Sequence, residues 1–207
     1  EAMQRQPRRR VALKLILAGQ YADELQRRLF QREVQTLARL NHNGIASIYG
    51  AGETSDGRQY FSMEYVEGRT LTDYAATWAN EPDRVRRGLR LIQRVCDAIS
   101  YAHQRGVIHR DLKPSNILVP TDDARTSDGG RSGDVSERAS GASSSIRSTL
   151  PQVKILDFGL ARLMERDESA PSINTASGQL MGTLAYMSPE QAQGRPDAID
   201  VRSDVYA

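Results

Sequence analysis

A single cysteine, Cys96, stands among 207 residues, so no disulfide can close within the chain and no cysteine-based metal cluster can be assembled. No stretch approaches the 18 or so consecutive apolar residues that a membrane-spanning helix needs, and the first residues carry no secretory-signal pattern. An excess of one charge is also lacking: 28 Lys and Arg stand against 26 Asp and Glu, and a formal net charge of +2 gives no footing for nucleic-acid binding through overall basicity. Aromatic residues make up 6%, and none interleaves with the one local basic run, Arg8–Arg10, as a base-stacking platform would require. With 39% hydrophobic and 26% charged residues, the chain has the composition of a globular domain able to bury a core.

The patterning is mixed. In "RRRVALKLI", Val11, Leu13 and Leu15 alternate with Ala12, Lys14 and Ile16, which predicts a short half-buried strand with Lys14 on the face opposite Leu13. The three arginines before it are expected in an exposed turn. Residues 23–40 place Leu25, Leu29, Phe30, Val34, Leu37 and Leu40 at helical spacing. Two apolar runs around Ser-Asp-Gly then predict a β-hairpin ending near Gly68. From residue 84 a long helix is expected, with Val85, Leu89, Ile92, Val95, Cys96, Ile99 and Ala102 on its apolar side and Cys96 packed in the core. Two short strands carrying polar loops follow, "VIHRDLKPSNILV" and "VKILDFGLA". Residues 121–150, rich in Ser and Gly with almost no apolar content, read as a flexible insertion between them.

"VALK", "HRDLKPSN" at 109–116, "DFG" at 157–159 and "MSPE" at 187–190, in that order, resemble the signature set of the eukaryotic-type protein kinases. The resemblance implies an α+β, two-lobed fold, with residues 1–67 as a partial N-lobe of antiparallel strands and one helix and 68–207 as a partial, mainly helical C-lobe. It implies ATP and Mg²⁺ as cofactors and transfer of the γ-phosphoryl group to hydroxyls of protein substrates. Asp111 would orient or accept the hydroxyl proton, Lys113 would neutralise the transferring phosphate, and Asn116 with Asp157 would hold magnesium. Lys14 would bind ATP phosphates, paired with Glu33 on the following helix; the residues alone leave open a pairing of Glu33 with Arg28 or Arg32. "MEYVEG" resembles the hinge, with Met63 beside adenine, backbone groups of Glu64 and Val66 on its edge, and Leu118 in the same ATP-binding set. His109, Phe158, Leu37 and Ile48 would stack as a spine anchored by Asp204.

Lys113 and Thr183 resemble the serine/threonine branch, and "SPEQA" is similar to bacterial kinases of the family. Arg110 would pair with a phosphate on the activation segment, where Ser169, Ser172, Thr175, Ser177 and Thr183 are the candidate hydroxyls. The expected partners are protein substrates and a second copy for autophosphorylation, without nucleic acid or a membrane segment, and the expected location is the cytoplasm. Residues 1–10 contain no glycine, so the Gly-rich loop of the family is missing and the chain is expected to be a fragment truncated at both ends. A pseudokinase or scaffold is the alternative, although its usual mark, loss of the lysine or the aspartates, is absent.

Overall fold

The computed structural model describes residues 1–5, 7–15, 24–121, 151–158 and 184–207. Strand β1 (Ala2–Gln4) pairs antiparallel with β2 (Arg9–Leu15), and after helix α1 (Glu24–Leu37) come β3 (Ile48–Glu53) and β4 (Gln59–Glu64), giving a four-stranded sheet of order β1-β2-β4-β3. β4 is central, and its period-2 alternation buries Gln59, Phe61 and Met63. The β3–β4 turn is the Ser-Asp-Gly segment: Gly57 adopts φ +83°, which an L side chain resists, and its N–H donates to the Thr54 carbonyl at 2.9 Å. On α1, Phe30, Val34 and Leu37 recur at helical spacing and are buried, continued by Leu40 just beyond the helix.

A second sheet, of order β5-β6-β7, is built from β5 (Gly68–Thr70), β6 (Ile117–Pro120) and β7 (Lys154–Ile155). Gly68 is required where β5 meets β6, since a Cβ there would lie 2.5 Å from the Val119 carbonyl oxygen. Helix α2 (Leu71–Ala76) starts at Thr70, whose hydroxyl accepts the Asp73 N–H, and α3 (Arg84–His103) runs beneath the sheets. The short helices α4 (Pro189–Ala192) and α5 (Val201–Tyr206) complete the described chain. The sheets meet through β7: Ala46 N–H donates to the Ile155 carbonyl at 2.9 Å, Ile155 N–H to that of Gly44 at 2.8 Å, and one hydrophobic core runs from Phe30 to Phe158. Among the described residues no helix is long and apolar enough to cross a membrane.

Two expectations are corrected. Cys96 is exposed rather than packed in the core, together with Val85, Leu89 and Ile92. At about 100° per residue, Leu91, Val95, Ala98 and Ala102 form a stripe rotated by about a third of a turn from Val85, Leu89, Ile92 and Cys96. Only the first stripe is buried, and it joins the hydrophobic core. Of the three arginines only Arg8 occupies the exposed turn, because Arg9 and Arg10 belong to β2. Arg9 lies 3.2 Å over the Tyr49 ring centroid and donates to Gln4 Oε1 at 2.6 Å.

Candidate active site

The loop from His109 to Asn116 is fixed from below by one carboxylate. Asp204, at the start of α5, has a side chain only 1% exposed and accepts three N–H groups: His109 N and His103 Nε2 on Oδ2, each at 2.7 Å, and Arg110 N on Oδ1 at 2.8 Å. Arg110 holds φ +66°, a costly conformation for a residue with a Cβ. Its N–H is taken by Asp204, and its carbonyl accepts Gln191 Nε2 at 2.6 Å. Ser188 and Gln191 form a capping box at the start of α4, which ties this end of the chain to the loop.

His109 is fully buried, and burial pushes its pKa below the ordinary value, against a partial upward pull from its hydrogen bond to Leu156 and from nearby carboxylates. The neutral ring carries its proton on Nε2, which donates to the Leu156 carbonyl at 2.8 Å, while Nδ1 accepts Asp111 N–H at 3.2 Å. The ring packs at 4.6 Å between centroids against Phe158. One imidazole thus joins the loop carrying Asp111 to the segment carrying Asp157.

Asp111 Oδ2 faces Lys113 Nζ at 2.9 Å and accepts Asn116 Nδ2 at 3.0 Å. The same amide nitrogen donates to the Asp111 carbonyl at 2.8 Å, which leaves the Asn116 side-chain oxygen as its group for a cation. The β6–β7 ladder pairs Ile117 with Ile155, and Leu156 N–H donates to the Asn116 carbonyl at 2.8 Å, so Asn116 and Asp157 stand at one end of that ladder.

Asp157 also has a positive φ, +55°. Its Oδ2 lies 2.9 Å from Lys14 Nζ, joining β2 of the first sheet to the segment after β7. This is the outcome for the expected Lys14–Glu33 pair: Lys14 pairs with Asp157 instead, and the half-buried Glu33 on α1 makes no ion pair with it. The Asp157 backbone turn brings a carboxylate within bonding distance of β2, so the lysine charge is met without α1. Glu33 pairs with neither Arg28 nor Arg32.

Along the cleft, Met63 is buried at the end of β4, and Glu64, Val66 and Leu118 are half-buried. Sequence reasoning missed the role of the Glu64 side chain. Its Oε2 accepts Ser47 N–H at 3.1 Å and Lys154 Nζ at 2.8 Å, while Glu64 N–H donates to the Ser47 carbonyl at 2.8 Å. Lys154 lies three positions before Asp157, and no local pattern links it to a carboxylate 90 positions away. Arg10 contributes as well, with its guanidinium 4.5 Å over the Tyr65 ring and 3.3 Å from Glu67 Oε2.

The family model for the protein kinase domain matches residues 1–207. The chain belongs to the protein kinase domain family. This kinase domain is 35% identical over 202 residues to the serine/threonine-protein kinase PknB of Mycobacterium leprae, covering 96% of this chain and 27% of that protein. It is 36% identical over 198 residues to serine/threonine-protein kinase pkn3 of Myxococcus xanthus, covering 95% and 31%. Against PrkC of Bacillus subtilis, also a serine/threonine-protein kinase, it is 33% identical over 199 residues, covering 96% and 25%. It therefore spans about a quarter to a third of the length of these curated relatives. The crystal structure of the Mycobacterium tuberculosis PknI kinase domain superposes with a TM-score of 0.57 at 27% identity, covering 94% of this chain and 58% of that one. The fold is accordingly the two-lobed α+β kinase fold, of which this chain holds a part.

For this kinase domain the fit to magnesium can be judged from its donors. Among the described residues no group of three or more His, Cys, Asp or Glu side chains converges as a metal cage. Asp157 and Asn116 offer hard oxygen ligands at one end of the β6–β7 ladder, which suits an ion that keeps water and phosphate oxygens in its shell. The Arg110 Nε is buried without a hydrogen-bond partner among the described residues. Ser169, Ser172, Thr175, Ser177 and Thr183, and the insertion apart from Thr121, lie outside the described residues.

Proposed function

We propose that this chain is the catalytic core of an ATP-dependent protein serine/threonine kinase acting on protein substrates, itself included, in the cytoplasm where ATP and Mg²⁺ are available. The observation that carries this reading is the meeting of two charge sets from different sheets: Lys14 on Asp157 at 2.9 Å, and Asp111 held by Lys113 and Asn116. Phosphoryl transfer asks for positioning and charge compensation more than covalent chemistry, and these groups supply both.

Lys14 binds the nucleotide phosphates, and Glu33 takes up Lys14 when Asp157 turns to its cation. Backbone groups of Glu64 and Val66 receive the adenine edge beside Met63, over Leu118. Asp157 and Asn116 hold magnesium, which supplies neutralisation of charge on the phosphate oxygens when bound. Asp111 orients the attacking Ser or Thr hydroxyl and takes its proton as the new O–P bond forms and the bond to the β,γ-bridging oxygen breaks, with ADP leaving. Lys113, already 2.9 Å from Asp111, faces the phosphoryl group in transit. Arg110 receives the phosphate of an activation-segment hydroxyl, Ser172, Thr175, Ser177 or Thr183, supported by its unpartnered buried Nε. Residues 1–67 and 68–207 form the partial lobes on either side of the cleft.

Asp111→Asn and Lys14→Met in the full-length parent protein test the assignment, with phosphate transfer from labelled ATP to a generic Ser/Thr substrate as the readout. Each variant is expected to lose about 10²-fold or more in kcat/KM, as positioned acid–base and charge groups do. Transfer within about threefold of the parent in both would refute the roles.

A further inference from the structure

Away from the cleft, the loop after α1 meets the side of α3 and forms a cavity of about 390 Å³. Gly44 permits the approach: a Cβ there would fall 3.0 Å from the Ala98 Cβ. Arg90 and Arg94, one helical turn apart, line the cavity from α3. Elsewhere on the helix, Arg87 is paired with Glu81, and Arg84 donates to the Ala79 carbonyl at 3.2 Å. Arg90 and Arg94 make neither an ion pair nor a hydrogen bond among the described residues.

Neutral donors surround these two guanidiniums. Gln93 and Gln152 bring side-chain amides to the wall. His42 packs tilted against Tyr101 at 5.0 Å between ring centroids, and its Nδ1 accepts Gly44 N–H at 3.0 Å, which leaves Nε2 as its donor. Asp97 is the one acid among the described lining residues, which together carry a net positive charge. Two unpaired, fork-shaped cations with amide donors beside them match the geometry and charge of a phosphate monoester dianion.

The chain itself carries the matching hydroxyls. Ser148 and Thr149 precede the lining residue Gln152 by four and three positions. At no more than about 3.6 Å per residue, four residues of chain reach no farther than roughly 15 Å from Gln152, a tether that raises the effective concentration of both hydroxyls into the millimolar range. We propose that the cavity between the loop after α1 and α3 is a phosphate-docking site for phosphorylated Ser148 or Thr149 of this same chain. This rests on the kinase reading only for the source of the phosphate: the γ-phosphoryl group of ATP is transferred to the hydroxyl oxygen, the bond to the β,γ-bridging oxygen breaks, ADP leaves, and the hydroxyl proton passes to Asp111. Docking ties the Ser/Gly-rich insertion to the junction of the two sheets, because the loop after α1 and the start of the Val153–Ile155 run both border the cavity.

Two forms of the full chain, with phosphoserine at 148 or phosphothreonine at 149 installed during synthesis, separate docking from the chain's own activity. In ³¹P NMR titrations, at least one phosphate is expected to show a second pKa about one unit below that of a free phosphomonoester, near 6. R90Q/R94Q should return it to the free value, and R90K/R94K, which keeps charge without the fork, should leave an intermediate shift; circular dichroism checks that both variants fold. Identical titration in the parent and in both variants, for both phosphoproteins, overturns the proposal. So does a shift induced by inorganic phosphate added to the unmodified chain when neither tethered phosphate is perturbed. Incubation of the parent kinase with Mg²⁺ and ATP, followed by mass-spectrometric mapping, tests the source. Phosphate on other residues but not on 148 or 149 counts against this proposal, whereas no phosphate anywhere counts against the kinase reading and leaves the docking titration to decide the site.

Discussion

Replacing Asp204 by Asn changes the charge and one atom of a side chain that is 1% exposed, and the structure sets the size of the effect. The carboxylate accepts N–H groups from His109 and His103 at 2.7 Å and from Arg110 at 2.8 Å. Hydrogen bonds to a charged partner contribute about 1.5–3 kcal/mol each. An asparagine keeps one acceptor oxygen and presents an NH₂ group to the other side, so at most one oxygen's set of bonds survives and the remaining N–H faces a donor. The loss of one to two such bonds, with a buried donor left unsatisfied at about 1–3 kcal/mol, gives a destabilisation on the order of 3–6 kcal/mol. That is a large share of the 5–15 kcal/mol typical of a folded domain. The strained Arg110 backbone loses its hold at the same time, so the Asp111 loop should rearrange with it. Urea unfolding followed by Trp78 fluorescence and circular dichroism should show a midpoint lowered by about 1.5–3 M at an m-value of roughly 2 kcal/mol/M. His103→Ala, which removes a single contact, should cost less than half as much. A D204N protein within about 1 kcal/mol of the parent would refute the account of Asp204 as the anchor of the loop.

His109 is neutral in the fold because burial lowers its pKa, so below about pH 6.5 the unfolded chain binds a proton that the folded chain does not. Stability should therefore fall as pH drops from 6.5 towards 5, by up to about 1.4 kcal/mol per pH unit; in His109→Phe that component of the slope should vanish, and a slope unchanged in the variant would exclude His109 as its source. Lys154 and Glu64, with side chains 16% and 25% exposed, should show a coupling of about 1–2 kcal/mol in a K154M/E64Q double-mutant cycle read by urea unfolding; additive effects would mean that the 2.8 Å contact contributes nothing. Glu33→Gln should leave stability without nucleotide unchanged to about 0.5 kcal/mol, since Lys14 does not use it, yet reduce the thermal stabilisation by Mg²⁺ and ATP. Equal stabilisation of E33Q and the parent would remove Glu33 from the ATP site.

What the sequence made legible is what is encoded within a few residues. The Ser-Asp-Gly turn places Gly57 where positive φ is needed, and the alternation in β4 buries Phe61 and Met63 on one face. The "HRDLKPSN" run keeps Asp111, Lys113 and Asn116 within one loop, so their contacts follow from local geometry. What depends on the relative placement of distant elements was not legible. Whether Lys14 meets Glu33 or Asp157 depends on the turn at Asp157 and the setting of α1, neither of which leaves a periodic trace. Both sides of α3 carry apolar residues at helical spacing, and only the tertiary packing selects Leu91 and Val95 over Val85 and Leu89 for burial. The Lys154–Glu64 pair left no trace in the sequence because the two residues are 90 positions apart.

The Lys14–Asp157 contact also bears on how the site begins its work. With side chains 41% and 29% exposed, this ion pair is of the half-exposed kind that contributes about 0–1 kcal/mol. Opening it is therefore a small step beside the binding of a polyanionic nucleotide. Under the proposed function each partner then has a replacement of its own sign: phosphate oxygens for the lysine, a divalent cation for the aspartate. The pair keeps both charges compensated and near each other until those ligands arrive, so little reorganisation is required when they do. His109, by contrast, is fixed by burial, by the Leu156 carbonyl and by Phe158 at 4.6 Å, and it links Asp157's segment to the Asp204-anchored loop. Weak where a ligand must enter and strong where the loop must not move, the two sets of contacts divide binding from alignment, and that division makes D204N a test of the framework and K14M a test of the chemistry.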